Sequence, residues 1–177
     1  MNTALIAADR SPKLDILLAP LKPNEVEWRV ASTTKDNSKL IVVPYITNRC
    51  VMQRFDEQFG WDRWRNEIRE VDGGFLCTIT VVLDGGEAIS KTDGANRTDI
   101  EPVKGGISDA MKRAAVQFGL GRELYDYPKV MIELSASQNG KFIPDWAHQL
   151  LDRLVIAAGE GRLDRDVYVL KESQARK

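Results

Sequence analysis

Two adjacent cations, Lys112 and Arg113, are the residues whose type and spacing best fit a chemical task. They lie in the segment 107–119, whose apolar residues recur at the i, i+4, i+7 and i+11 positions of a helix that buries one face. These apolar positions are Ile107, Met111, Ala114 and Phe118. Both cations fall off this stripe, on either side of Val116. A helix that presents a Lys–Arg pair to solvent can hold phosphate groups without any catalytic residue.

The same pair also allows a purely structural explanation. Asp109 lies four residues before Arg113, which is the spacing of an ion pair along a solvated helix face. Local spacing alone favours the ion pair over phosphate binding.

Other chemistries find less support. The G-x-x-x-x-G-K-[ST] phosphate-binding motif is absent from the sequence, which argues against ATP-driven strand exchange. Asp84, Glu87 and Lys91 have the residue types of a Mg²⁺-dependent nuclease site, although a third acidic ligand in register is missing. His148 is the single histidine, and no Ser-His-Asp or Cys-His site can be assembled around it. We therefore expect no catalytic residue, no metal and no cofactor.

The composition is that of a globular chain with little net charge. The 177 residues carry 25 Lys and Arg against 26 Asp and Glu, which gives a formal net charge of −1. This balance counts against a DNA-binding domain with a broadly basic surface, but it permits a local basic groove. Cys50 and Cys77 lie far apart in apolar segments, as reduced core cysteines of cytosolic proteins do. With no bilayer-spanning apolar run and no secretory signal pattern, we expect a cytoplasmic protein without membrane partners.

The residue patterns predict an α+β fold. Helical patterns cover 12–20, 47–59, 107–119 and 146–158, and strand patterns cover 26–32, 40–46, 64–71, 75–83, 87–92 and 130–134. The first two strands form an antiparallel hairpin, and Asp-Gly-Gly turns join the next three into a meander packed on helices. The polar stretch 93–104 is expected to be a loop, and the residue pattern starts the following helix at Ile107.

The predicted domain organisation has four regions. They are a flexible N terminus at 1–11, a core domain at 12–134, a C-terminal helical addition at 135–158 and a flexible tail at 159–177. Trp28, Trp61 and Trp64 are candidate base-stacking surfaces, but their sequence positions favour core packing for all three.

The helix at 107–119 contains the run Asp109-Ala110-Met111-Lys112-Arg113-Ala114, followed by Phe118-Gly119. This run resembles the signature helix of the Rad52-type single-strand annealing proteins. The continuation Gly121-Arg122-Glu123-Leu124-Tyr125-Asp126 resembles the bacterial and phage branch of that family. The similarity extends more loosely over 14–128, and because the matching helix is longer in the family, it implies an alternative helix start near Pro102. It implies a ring-like homo-oligomer with a basic groove around its outside, which needs neither nucleotide nor metal.

The resemblance also implies roles for individual cations. In such proteins the residues that match Lys112 and Arg113 line an inner groove and contact the single-stranded DNA backbone. Val116 departs from the pattern, since relatives can carry a further cation there. The resemblance places one more arginine on the preceding helix, Arg49 or, as a substitute, Arg54. A pairing with Asp56 or Glu57 is the structural alternative for that arginine.

The last meander strand and the loop after it carry the remaining candidates. Lys91 and Arg97 match a region that forms one wall of the groove in this family, although an exposed polar loop would explain them equally well. The candidate DNA-binding set is Lys112, Arg113, Arg49, Arg54, Lys91 and Arg97.

The function implied by the resemblance is ATP-independent binding and annealing of single-stranded DNA in recombination or break repair. The expected partners are single-stranded DNA, further copies of the chain, and a single-strand-binding protein or a recombinase. Two alternatives stay open: protection of 3′ single-stranded ends without annealing, and a Mg²⁺-dependent nuclease that uses Asp84 and Glu87.

Overall fold

A computed structural model describes residues 15–135 and 142–175. In these ranges the α-helices are α1 (Asp15–Leu18), α2 (Asn48–Phe59), α3 (Pro102–Gln117), α4 (Asp145–Gly159) and α5 (Glu172–Ala175). The strands are β1 (Val26–Thr33), β2 (Lys39–Ile46), β3 (Trp64–Val71), β4 (Gly74–Val82), β5 (Ala88–Asn96), β6 (Lys129–Glu133) and β7 (Val167–Leu170). Short 3₁₀ helices cover Pro23–Glu25 and Arg122–Asp126. The predicted α+β class, the hairpin and the meander are confirmed.

The described residues form two compact units. The meander unit contains residues 15–19 together with Asn48–Leu120, and the hairpin unit contains Pro20–Thr47 together with residues 121–135 and 142–175. This division differs from the boundaries expected from the sequence. The region 12–134 contributes to both units, and the flexible segment expected at 1–11 lies outside the described residues. None of the helices that the structure describes is long and apolar enough to cross a membrane.

The meander unit is built on the antiparallel sheet β3-β4-β5. Strand β4 is central and alternates, so that Phe75, Cys77, Ile79 and Val81 are buried on one face. Cross-strand pairing places Asp93 opposite Cys77 and Lys91 opposite Ile79, on the face that packs against α3. Burial raises the pKa of the Cys77 thiol to about 11, as expected for a core cysteine.

Helix α3 begins at Pro102, as the family resemblance implies and earlier than the residue pattern predicts, and Gly105 and Gly106 lie near its start. A Cβ atom on Gly106 would lie 2.8 Å from the Phe75 ring and 3.1 Å from the Asn96 carbonyl oxygen. A Cβ atom on Gly105 would overlap the Thr98 hydroxyl. Gly106 therefore permits a close approach of α3 to the sheet, and Gly105 permits a close approach to the connection after β5. These contacts outweigh the poor helix propensity of glycine.

The bounds predicted for the loop at 93–104 are wrong at both ends. Strand β5 continues to Asn96 and α3 starts at Pro102, so only a short connection separates them. The backbone N–H of Arg97 donates to the Gly73 carbonyl at 3.0 Å, which extends the sheet pairing to the end of β5.

The hairpin unit combines β1 and β2 with the C-terminal part of the chain. Its sheet has the order β1-β2-β6-β7, with β6 antiparallel to β2 and β7 parallel to β6. Helix α4 contributes Leu150, Leu151 and Leu154 to the same core cluster as Leu40 and Ile132. Strand β7 falls in the segment 159–177 that we expected to be a flexible tail. Its four-residue pattern is too short to be read without knowledge of the strand it pairs with.

Candidate nucleic-acid interface

Helix α3 turns one face to the core of the meander unit. The buried positions are Gly106, Ala110, Met111, Ala114 and Ala115, with Phe118 at the helix end. Met111, Ala114 and Phe118 belong to the predicted stripe, whereas Ile107 is only partly buried. Both cations lie outside the buried set, as the helical spacing predicts.

The two cations have different carboxylate partners. The Lys112 ammonium lies 2.7 Å from Asp109 on the same helix, and the Lys112 side chain is 22% exposed. The Arg113 guanidinium pairs through Nε with Asp93 of β5 at 3.1 Å, and the Arg113 side chain is 51% exposed. The ion pair expected between Asp109 and Arg113 is therefore replaced by two others, one of which joins α3 to the sheet.

Asp93 is the centre of a small polar group that we call the α3–β5 cluster, consisting of Lys91, Asp93, Arg113 and Gln117. The Gln117 amide donates to Asp93 Oδ2 at 3.3 Å and to the Thr92 carbonyl at 2.7 Å. Burial works to raise the pKa of Asp93, but hydrogen bonds from the Gly94 N–H, Gln117 and Arg113 outweigh it and lower the pKa. Asp93 is therefore a carboxylate at neutral pH.

Lys91 belongs to this cluster through a backbone contact. Its ammonium donates to the Gln117 carbonyl at 2.6 Å and lies 4.8 Å from the centroid of the Phe118 ring. The position suits a cation, because the C-terminal carbonyls of a helix carry partial negative charge. The structure thus places Lys91 beside Arg113 but gives its charge a structural contact.

Arg49 approaches the same helix from α2. The Ser108 hydroxyl donates to Asn48 Oδ1 at 3.4 Å, which brings the first turn of α2 beside α3 one turn before Lys112. Arg49 follows Asn48, is exposed, and has no ion-pair or hydrogen-bond partner in the described part of the chain. Arg49, Lys112 and Arg113 are therefore candidates for one surface.

Arg54 lies in the interior of the meander unit. It is 4% exposed, and its guanidinium donates to the backbone carbonyls of Ile16 and Ala19. The substitute role that the resemblance gave to Arg54 does not fit this burial, because a phosphate would have to displace α1. The sequence could not reveal this, since the acceptors are backbone atoms more than thirty positions away.

Arg97 lies apart from the α3–β5 cluster, at the end of β5. It pairs with Glu70 of β3 and its guanidinium lies 4.8 Å from the centroid of the Phe75 ring. The side chain is still 36% exposed. Arg97 therefore joins the outer strands of the sheet and keeps part of its charge at the surface.

The three tryptophans have different environments. Trp64 donates to Asp56 at 2.7 Å and packs 5.2 Å from Phe55, so core packing is confirmed for it. Trp28 packs against the hairpin-unit core and lies edge-on to Tyr127. Trp61 is 81% exposed in the turn after α2, and the expected core packing is wrong for it. Gly60, with φ of 89°, ends the helix and directs the chain away from the core.

The acidic residues of the nuclease alternative, Asp84 and Glu87, lie in the turn between β4 and β5. Asp84 lies 2.6 Å from Arg63, and Glu87 is exposed before β5. Over residues 15–135 and 142–175, no group of three or more His, Cys, Asp or Glu side chains is arranged to hold a metal ion.

Comparisons of the sequence with known proteins identify the family of the chain. Residues 13–141 match the model of the Rad52/22 family of double-strand break repair proteins. The match covers most of the chain, including α3 and its Lys–Arg pair. The protein belongs to the Rad52/22 family.

Two characterised relatives come from one bacterial genus. The chain is 34% identical over 139 residues to the single-stranded DNA-binding protein DdrA of Deinococcus deserti, an alignment that covers 74% of this chain and 67% of the relative. It is 32% identical over 139 residues to the DdrA protein of Deinococcus radiodurans, covering 74% of this chain and 65% of the relative. The similarity to the bacterial branch suggested by Gly121 to Asp126 is thereby confirmed.

Proposed function

We propose that this protein binds single-stranded DNA and anneals complementary strands without ATP during recombination or break repair. The observation that carries the proposal is the exposed guanidinium of Arg113 beside Lys112, on the helix that resembles the family's signature. Membership of a break-repair family and relatives named as single-stranded DNA-binding proteins support the same function.

In the proposed mechanism the protein contacts the phosphates of the strand and leaves its bases free to pair. Lys112, Arg113 and Arg49 neutralise successive phosphates and hold the strand extended, with Arg97 as a further contact. Such contacts position a strand without reading its sequence. The bases remain accessible, so a second strand can be tested by base pairing alone. No bond is made or broken, and neither a nucleotide nor a metal is required.

We further propose a ring-like homo-oligomer. Strands β3 and β5 lie at the two edges of the meander sheet, and residues 65–70 of β3 are exposed on both faces. An edge strand presents backbone donors and acceptors to a neighbouring chain. A contact between unlike edges of successive copies is head-to-tail, and such contacts form a ring when the rotation between copies closes. Light scattering should give a mass many times 19.9 kDa. A monomer both with and without DNA would contradict the ring.

The decisive experiment is annealing of two labelled complementary oligonucleotides in EDTA and without ATP. The wild-type protein should accelerate annealing, and the Arg113→Ala variant should be slower. Arg153→Ala is a matched control, because Arg153 is an exposed arginine on α4 of the hairpin unit. Strand binding without annealing would replace this proposal with end protection. Cleavage in Mg²⁺ that EDTA stops would favour the nuclease.

This function places the protein with DNA in the cytoplasm of a bacterium or of a phage-infected cell. A single-strand-binding protein or a recombinase is the class of protein partner that such a step requires. Co-sedimentation on DNA coated with a single-strand-binding protein would test for that partner.

A further inference from the structure

Asp93 makes contacts that reach beyond a simple ion pair. Its Oδ1 accepts from Arg113 Nε at 3.1 Å and from the Gly94 N–H at 2.7 Å, and its Oδ2 accepts from Gln117 at 3.3 Å. Both oxygens of the carboxylate therefore accept hydrogen bonds, and the donors belong to β5 and α3. Its side chain is 25% exposed, which leaves it shielded beneath the more exposed Arg113.

The contact with Arg113 uses one edge of the guanidinium. Only Nε donates to Asp93, and the Nη1 and Nη2 groups have no hydrogen-bond partner among the residues that the structure describes. These two nitrogens form the planar fork with which arginine binds two oxygens of a phosphate. An arginine held at Nε therefore keeps its phosphate-binding edge available.

We propose that Asp93 is a positioning residue for DNA binding, which holds Arg113 so that its Nη groups face the phosphate backbone. This inference rests on the proposed function. Arginine has many rotamers, and a side chain fixed before binding loses less conformational freedom when a ligand arrives. Asp93 contacts no DNA itself and acts through Arg113.

The alternative role for Asp93 predicts the opposite change in DNA affinity when the carboxylate is removed. A carboxylate that only neutralises Arg113 would repel phosphates, and its removal would tighten DNA binding. A positioning carboxylate helps binding despite its charge, so its removal weakens binding. One substitution that removes the charge and keeps the shape therefore distinguishes the two roles.

The test is a double-mutant cycle with Asp93→Asn and Arg113→Ala, read by fluorescence anisotropy of a labelled thymidine oligonucleotide. Asp93→Asn should weaken binding by about tenfold, in the range of coupling between residues in contact. In the Arg113→Ala background the same substitution should have no effect. Asp93→Asn that binds as tightly as wild type or tighter, or that weakens binding equally in both backgrounds, would overturn the inference.

Two controls separate positioning from general damage. Gln117→Ala removes the other side-chain contact of Asp93 but leaves the Arg113 pair, so it should bind close to wild type. Thermal unfolding shows whether Asp93→Asn is folded, and a comparable loss of binding in Gln117→Ala would assign Asp93 a merely structural role. If Arg113→Ala itself binds as wild type, the proposed interface fails and the inference fails with it. If Arg113→Ala is weak and Asp93→Asn is not, only the inference fails.

Discussion

The ammonium of Lys91 lies over the ring of Phe118, 4.8 Å from its centroid, and at the same time binds the last carbonyl of α3. One cation on β5 thus holds both the backbone end and the terminal aromatic residue of the neighbouring helix. This arrangement assigns Lys91 to stability, although the family resemblance assigned it to DNA binding.

We expect Lys91→Met to destabilise the protein by about 1–2 kcal/mol, from the lost helix-end and cation–π contacts. Methionine keeps the length of the side chain, so the packing beside Phe118 is largely preserved. Denaturant unfolding measures the loss, and the folded variant should bind single-stranded DNA normally. A variant of unchanged stability that fails to bind would return Lys91 to the interface.

Lys112→Ala and Arg113→Ala should weaken DNA binding while the protein stays folded, because neither side chain belongs to the buried face of α3. If each contacts one phosphate, each loss should reduce the slope of log affinity against log salt by about 0.7. Titrations at several salt concentrations measure the slope. Arg153→Ala should retain the wild-type slope, and wild-type slopes in both the Lys112→Ala and Arg113→Ala variants would remove the pair from the interface.

Phe118→Ala should be a stability variant. Phe118 is buried at the end of α3 and lies edge-on to Phe55, with 5.5 Å between ring centroids. Removal of a buried phenylalanine typically costs about 3–5 kcal/mol, which is a large part of the stability of a domain. The melting temperature should fall, with DNA affinity lost only as folding is lost. Normal melting together with failed binding would mean that Phe118 faces the groove.

Trp61→Ala tests whether the exposed ring stacks on a base. A stacked base contributes roughly 1–3 kcal/mol, so affinity should fall measurably while stability stays the same. Tyr125→Ala is a matched control, because Tyr125 is an exposed aromatic residue of the hairpin unit. Equal affinities of the wild type and Trp61→Ala would leave this tryptophan without a role in binding.

Tyr127 gives a prediction for alkaline pH. Burial, and then the negative charge of Glu123, raise its pKa from 10.0 to about 12. The folded state therefore holds this proton more tightly than the unfolded state does. The resulting stability is complete below pH 10 and is lost as the pH rises towards 12. Unfolding measured across this range should show a shallower decline for Tyr127→Phe, and native Tyr127 titrating at its ordinary pKa would contradict the burial argument.

The sequence was most informative where the causes of structure are local. Alternation in β4, Asp-Gly-Gly turns and the helical stripe ending at Phe118 are properties of neighbouring residues, and they predicted the meander and α3 correctly. The start of α3 was less clear because Gly105 and Gly106 are poor helix formers. Glycine is needed at these two positions because a side chain would overlap Thr98 or Phe75. The Phe75 contact depends on how α3 packs on the sheet.

The candidate site shows the same difference between features with local causes and features with long-range causes. Lys112 and Arg113 could be found from spacing and resemblance, since both lie on one helix. The partner of Arg113 could not, because Asp93 was assigned to a loop and the strand pairing that brings it under α3 is long-range. Burial of Arg54 and exposure of Trp61 escaped prediction for a related reason. Each depends on where α2 packs and ends, which residue type alone does not reveal.

Gly106 has a consequence for any attempt to transplant this surface. With no side chain at that position, the distance from the helix axis to the sheet is set by the backbone and the Phe75 ring. That distance determines the separation between Arg113 and Asp93. A Lys–Arg pair copied onto an unrelated helix would reproduce the charges but not this separation, and its arginine would have no fixed orientation. To transfer a binding surface of this kind to another protein, the packed helix and strand must be transferred together, because two added cations are not sufficient.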